Sequence, residues 1–240
     1  MDFEFTNRFM REHADFANTN MMGPNAVRVS EELAASIPAN DPGRILDLGC
    51  GAGLSSIFLA ERYNATVFAA DLWISPTDNH KRFEEFGAKN IIPLSIDATK
   101  GLPFAHEYFD ILLSVDAYHY FGDTPEMLPS LAAFVKKGGY IAVAVPGLKY
   151  EFGENVPSEM KPWWNDAEIA RTIRSLDWWR DLWSKADGIE IVGISEMRCH
   201  KQAWDEWLAC SNPFAAEDIP MMQAEGGKYF NLIQLIAKRL

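Results

Sequence analysis

Cysteine is scarce in this sequence. Only Cys50, Cys199 and Cys210 occur in 240 residues. They are odd in number and lack ligand spacing, which argues against a disulfide framework or a zinc site and for a reducing compartment. Positive charge is also short, since 22 Lys and Arg against 34 Asp and Glu leave a net charge of −12. Such a surface repels phosphate backbones, so a nucleic-acid partner is not expected. No run approaches the ~18 apolar residues of a membrane span. The start, Met1-Asp2-Phe3-Glu4-Phe5, has no basic region followed by an apolar stretch, so a cytoplasmic location without a membrane partner is the expectation. Repeats and low-complexity segments are absent. With 48% hydrophobic and 23% charged residues the chain is ordinary globular material. Its length suits one elaborated domain with a core that needs no staples.

From about 44 to 147, short β-like runs alternate with helical stretches. Strands are expected at Arg44–Leu48, at Ala65–Ala70 closed by Asp71, at Ile91–Ile96 ending in Asp97, at Asp110–Val115 and at Tyr140–Val145. The intervening helices begin near Gly53, at Ser75-Pro76 with a stop at Gly87, and at Thr124-Pro125 with Leu128, Leu131 and Val135 at helical spacing. Strands apolar on both faces belong to a parallel sheet covered by helices on each side. The expected fold is therefore a doubly wound α/β sheet. Residues 1–40 read as helical with a break at Gly23-Pro24, and residues 148–240 as a tryptophan-rich elaboration with closing strands near 189–194 and 229–237.

The sharpest local signal is Asp47-Leu48-Gly49-Cys50-Gly51-Ala52-Gly53, between a strand and a helix. In an open α/β sheet that is where ligands bind. Its spacing is G-x-G-x-G, not the G-x-G-x-x-G of a pyrophosphate loop, and no P-loop pattern occurs. An acidic residue just before the loop suits a cationic ligand and repels a diphosphate.

Ile45 to Gly53 closely resembles the first motif of class I S-adenosylmethionine-dependent methyltransferases, and the likeness continues through the acidic ends of the second and third strands to Val145. The chain looks most similar to the small-molecule enzymes of that family. The resemblance implies a Rossmann-like seven-stranded sheet whose last strand runs antiparallel, with S-adenosylmethionine as cofactor and S-adenosylhomocysteine as product. It implies that Asp47 holds the methionine ammonium, directly or through water, and that the backbone of Gly49, Cys50, Gly51 and Gly53 packs against the cofactor. Asp71 would take both ribose hydroxyls, Leu72 would cover the adenine, and Asp97 with the Ala98 amide would meet the adenine edge. Ser114 and Val115 would lie beside the methionine portion.

Candidates for the chemistry come from the loop after the fourth strand, Asp116-Ala117-Tyr118-His119-Tyr120-Phe121. His119 has the pKa range of a general base, and a histidine that only bonds a neighbouring loop is an equal alternative. Tyr118 is the second candidate, with one of Tyr118 and Tyr120 expected to be structural. Tyr120 and the pair Trp163-Trp164 are expected to meet a substrate, the tryptophans as an aromatic wall. The plainer reading of the tryptophans is a cover over the sheet or a subunit interface, which leaves a homodimer open. The N/D/S-P-P-Y/F/W pattern of enzymes that methylate exocyclic or amide nitrogens is absent.

The reading that follows is a methyltransferase acting on nitrogen or oxygen of a small-molecule acceptor, with residues 1–40 as a helical lid, 41–147 as the cofactor core and 148–240 on the substrate side. A non-catalytic adenosylmethionine-binding protein is the rival. A nicotinamide-dependent reductase is disfavoured by the glycine spacing.

Overall fold

The computed structural model describes residues 2–39, 41–164 and 167–240. Three helices come first: α1 (Glu4–Glu12), α2 (Ala14–Asn20) and α3 (Ala26–Ala35). Then β1 (Arg44–Leu48), α4 (Leu54–Tyr63), β2 (Thr66–Asp71), α5 (Pro76–Phe86), β3 (Ile91–Ser95) and β4 (Phe109–Val115) alternate as expected. After them come α6 (Met127–Ala132) and β5 (Val135–Leu148), followed by α7 (Lys161–Trp164), α8 (Ala167–Thr172), a two-residue β6 (Arg174–Ser175) and α9 (Leu176–Trp183). The chain closes with β7 (Ile189–Glu196), α10 (His200–Leu208), α11 (Pro213–Glu225) and β8 (Phe230–Arg239). Among the described residues no helix is long and apolar enough to cross a membrane.

The main sheet order is β3-β2-β1-β4-β5-β8-β7, with β6 pairing only the end of β5. Strands β1 to β5 run parallel, while β8 lies antiparallel to both β5 and β7. The chain winds outward from β1 through β2 to β3, then returns to place β4 on the other side of β1. The carboxyl ends of β1 and β4 thus flank the point where the winding reverses, and a crevice opens there.

Alternation along β1 decides which helices cover which face. Ile45 joins the core built with α3, α4, Phe83 of α5 and Trp207 of α10. Leu46 and Leu48 join the opposite core with Leu128 and Leu131 of α6 and Trp179 and Trp183 of α9. The two α9 tryptophans, one helical turn apart, are therefore cover over the sheet. Helix α5 ends as its sequence dictates: the Ser75 hydroxyl accepts from the Thr77 N–H at 3.2 Å, Pro76 opens the first turn, and Gly87 stops it at φ +84°.

One element departs from expectation. The helix opened by Thr124-Pro125 spans only Met127–Ala132, and Val135 already begins β5, opposite Phe109. The apolar Val135 is buried as a strand residue rather than as the last turn of a helix. The register slips between Phe109 and Ile111, which lets the Lys136-Lys137-Gly138-Gly139 segment stay in the strand instead of forming a separate turn.

The N-terminal helices are tied to the C-terminal part through a buried charge. Arg28 on α3 is fully buried and donates to Glu206 on α10 from Nε at 2.8 Å. Asn25 caps α3 and donates to the same carboxylate at 2.8 Å. Removing one partner of a buried pair leaves the other charge uncompensated. Glu206→Ala should therefore cost about 3–5 kcal/mol in urea unfolding. Lys201→Ala, which breaks an exposed pair with Asp205, should change stability by less than about 1 kcal/mol.

Candidate active site

The crevice at the strand ends holds two neighbouring cavities that share Gly49, Asp71, Trp73, Ala117 and Tyr120. One, of about 110 Å³, is walled by the glycine loop, by Val115 and Asp116 after β4, and by Met22, Gly23 and Pro24. The other, of about 230 Å³, runs past Leu72 to Ile96, Asp97, Ala98 and Thr99.

Asp71 stands where the two meet. One carboxylate oxygen accepts the Gly51 N–H at 2.8 Å, and the other accepts the N–H groups of Trp73 and Ile74 at 2.7 and 2.8 Å. Leu72 and Trp73 are thereby turned outward, and both are largely exposed. Asp97 caps a short 3₁₀ turn at Ala98–Lys100, accepting the Thr99 N–H and hydroxyl. Those bonds, first of all the Thr99 hydroxyl and then Lys100, hold its carboxyl below the usual carboxylate range.

The glycines serve different ends. Gly49 has φ +76°, and a Cβ there would come within 2.2 Å of the Ala117 Cβ, so the loop after β4 could not close on it otherwise. Gly53 has φ +88° as the N-cap of α4, and a Cβ would strike the Phe83 ring at 2.4 Å. Gly53 thus seats α4 against α5 and is not among the cavity-lining residues, whereas Gly49, Cys50 and Gly51 are. Cys50 is buried, and desolvation pushes its thiol well above the ordinary range.

Asp47 lies beneath the loop, completely buried and outside both cavity walls. One oxygen accepts the hydroxyls of Ser55 and Ser56, each at 2.6 Å, while the other has no hydrogen-bond partner. Burial outweighs the two serines and lifts its pKa to about 6. Ser114 is likewise buried with its hydroxyl unpartnered, while Val115 reaches the smaller cavity.

The expectations for the acceptor side need correction. Tyr118 is fully buried on the far face of the sheet, with ring centroids 5.8 and 6.0 Å from Trp179 and Trp183. It is packing, and it does not reach the crevice. His119 is buried as well, its ring 4.1 Å from that of Tyr120, with Nδ1 unpartnered. Burial, with Arg171 adding to it, pushes its pKa down to about 3, so it is a neutral and weak base outside both cavity walls. Trp164 packs on Phe152 and Phe230 in a separate small core, and Trp163 beside it on α7 is half-buried; neither lines the crevice. Of these candidates Tyr120 alone lines both cavities.

Several wall residues lay outside the motif pattern. Trp73 meets Tyr120 edge-on at 5.2 Å across the rim. It could have been found by extending the loop after β2 one residue past Leu72. Asn20 accepts from Arg82, which donates to Asn79, which donates to the Gly51 carbonyl, so the end of α2 is linked to the glycine loop through α5. Asp116 lines the smaller cavity in a left-handed conformation, φ +54°. Desolvation, with Asp218 on α11 adding its charge, raises its pKa to about 7. No local sequence signal pairs residues so far apart.

Comparison with known proteins fits this geometry. Residues 45–139 match the sequence model of a methyltransferase domain. The methyltransferase GfsG of Streptomyces halstedii is 23% identical over 70% of this chain and 62% of its own, so the chain spans about three fifths of that relative. Geranyl diphosphate C-methyltransferase of Streptomyces coelicolor A3(2) superposes with a TM-score of 0.69 at 16% identity, covering 88% of this chain and 77% of that one. Phosphoethanolamine N-methyltransferase 2 of Haemonchus contortus gives a TM-score of 0.71 at 16% identity, over 100% and 60% of the two chains. The structural likenesses speak for the fold, and the domain match for the sequence laid upon it. With the glycine loop and both acidic strand ends around one crevice, residues 45–139 match a methyltransferase domain, laid on a fold shared with S-adenosylmethionine-dependent methyltransferases of known structure.

Proposed function

We propose that this chain transfers a methyl group from S-adenosylmethionine to nitrogen or oxygen of a small-molecule acceptor. The observation that carries the reading is the position of Asp71 between two joined cavities, one floored by the glycine loop and the other ending at Asp97. A carboxylate there has the acceptor chemistry that a vicinal diol requires. The unpartnered oxygen of buried Asp47 and the unpartnered Ser114 hydroxyl are what a cationic, hydrogen-bonding amino-acid tail would satisfy. When bound, the cofactor supplies a sulfonium-activated methyl group.

The chain's own residues then have separable tasks. Asp71 receives the ribose hydroxyls, while Asp97 and the Ala98 amide take the adenine edge, with Leu72 as its exposed apolar cover. The backbone of Gly49, Cys50 and Gly51 lies along the amino-acid end, with Ser114 and Val115 opposite. Asp47 acts from below through its free oxygen. Asn20, Met22, Gly23 and Pro24 wall the smaller cavity across from the loop, and their closing over a bound cofactor would exclude water and strengthen each of these contacts.

The similar proteins differ in the atom they methylate, carbon in one and nitrogen in another. The rival reading, a non-catalytic binder, expects the space beside the glycine loop to be plugged by aromatic side chains. Tyr118 is instead packed on the far face, and the space is open and bears Asp116. That favours an enzyme.

Asp71→Ala should weaken adenosylhomocysteine binding by about 2 kcal/mol, roughly thirtyfold, in calorimetric titration. Unchanged affinity would remove Asp71 from the cofactor site. Binding should also depend on pH. The apo pKa of Asp47 is about 6, and a bound cation would lower it, so binding below pH 6 must expel a proton. Affinity should thus fall as the pH drops from 7 to 5, by at most about tenfold per unit. Asp47→Asn should flatten that fall, whereas a curve identical to the parent's would take Asp47 out of ammonium recognition.

A further inference from the structure

Asp116 is the unusual group of the smaller cavity. It follows β4 directly and is held at φ +54°, a conformation that costs a non-glycine residue on the order of 1–2 kcal/mol. Its carboxylate leans over Gly23, where an added Cβ would come within 2.3 Å of Oδ2. Asp116 therefore faces the N-terminal segment rather than the strand ends. Asp218 approaches from α11 and is fixed by the Trp207 indole N–H at 2.8 Å. Among the described residues no hydrogen bond or ion pair engages the Asp116 carboxylate, although it lines an open cavity. No cation stands among the charges that bear on it; the one that does is Asp218. Around the same space, burial first and then Asp116, Glu168 and Asp218 lift the Tyr120 phenol to about 12.

Two carboxylates without a cation set a negative potential in a partly desolvated space, which Asp116 meets in the apo protein by holding its proton more tightly and which favours a ligand of the opposite sign. The walls near Asp116 include the edge-on pair Trp73 and Tyr120 and the Met22 side chain. Aromatic faces and a polarizable thioether beside a carboxylate are the surroundings that favour an alkylammonium group. Carboxylate or phosphate acceptors would meet repulsion from both aspartates.

We infer that the space between Asp116, Tyr120 and Trp73 is an acceptor subsite for a small alkylamine, entering as its ammonium ion. This rests on the methyltransferase reading and deepens it by naming the acceptor class. Asp116 holds the ammonium and takes up one of its protons at a carboxylate oxygen, which leaves the nitrogen lone pair free. Burial lifts its carboxyl to about 7 in the apo protein, which makes it a stronger base than an ordinary aspartate. Asp218 sustains the potential from the second side and is a positioning residue.

The probe is tetramethylammonium, titrated calorimetrically into the protein already saturated with adenosylhomocysteine, beside the neutral 2,2-dimethylpropan-1-ol of similar size. The cation should bind at least about tenfold more tightly than the alcohol. Asp116→Asn, which tolerates the left-handed backbone, should erase that preference while adenosylhomocysteine affinity stays within about twofold. Asp218→Asn should reduce it by a smaller factor. Equal affinity for cation and alcohol in the parent protein overturns the inference and leaves the cofactor reading standing. A loss of adenosylhomocysteine affinity in Asp116→Asn with the cation preference intact also overturns it, since Asp116 would then serve the cofactor. Failure of the parent to bind adenosylhomocysteine at all removes the methyltransferase reading, and this one with it.

Discussion

Both walls of the crevice hang on the carboxylate of Asp71. A parallel sheet ends with its loops on one edge, and the N–H groups of those loops have no ladder partners there. Asp71 takes three of them, one from the glycine loop and two from the turn after β2. That fixes Gly51 on one side, and Leu72 and Trp73 on the other, at the single point where the strand order reverses. The Ala70 carbonyl just before it accepts the Gly49 and Cys50 N–H groups, so the end of β2 organises the whole loop after β1. The arrangement of the cavities follows from this one residue more than from any glycine.

Asp47 shows what such a site costs. A fully buried carboxylate is expensive in its charged form, and two serine hydroxyls repay only part of the penalty. Its folded pKa of about 6 lies above the ordinary 3.8. The charge therefore subtracts stability above pH 6, and the penalty fades as the pH falls toward 4. A residue chosen for stability alone would be neutral there. The strained, unpaired Asp116 a short distance along the crevice repeats the pattern of local cost at a ligand-facing position.

The sheet was legible because its signals are local. Apolar runs closed by Asp71 and Asp97, the Ser75-Pro76 opening, the Gly87 stop and the G-x-G-x-G spacing each act within a few residues. The acceptor side was not legible in this way. Tyr118 and Tyr120 differ by two positions in a 3₁₀ turn, and the turn sends one into the α9 tryptophans and the other to the crevice. Composition treats them alike; the turn separates them. Trp163-Trp164 sits in the right part of the chain for a substrate wall, yet Phe152 and Phe230 offer Trp164 a drier place than the crevice does. Asp218 carries no local mark, because its importance arises from a residue about a hundred positions earlier.

The two flanks that resemble the family least are also tied to each other. Arg28 and Asn25 bind Glu206, the Asn212 side chain donates to the Met21 carbonyl at 2.9 Å, and Glu32 accepts the Arg198 and Cys199 N–H groups. Met22, Gly23 and Pro24 on one side of the cavity are thus positioned by the C-terminal segments that also carry Asp218. None of these bonds passes through the strand ends that hold Asp71 and Asp97. The flanks form a structure of their own laid across the end of the sheet, and the N-terminal one meets the glycine loop, Asp116 and Tyr120 around the smaller cavity.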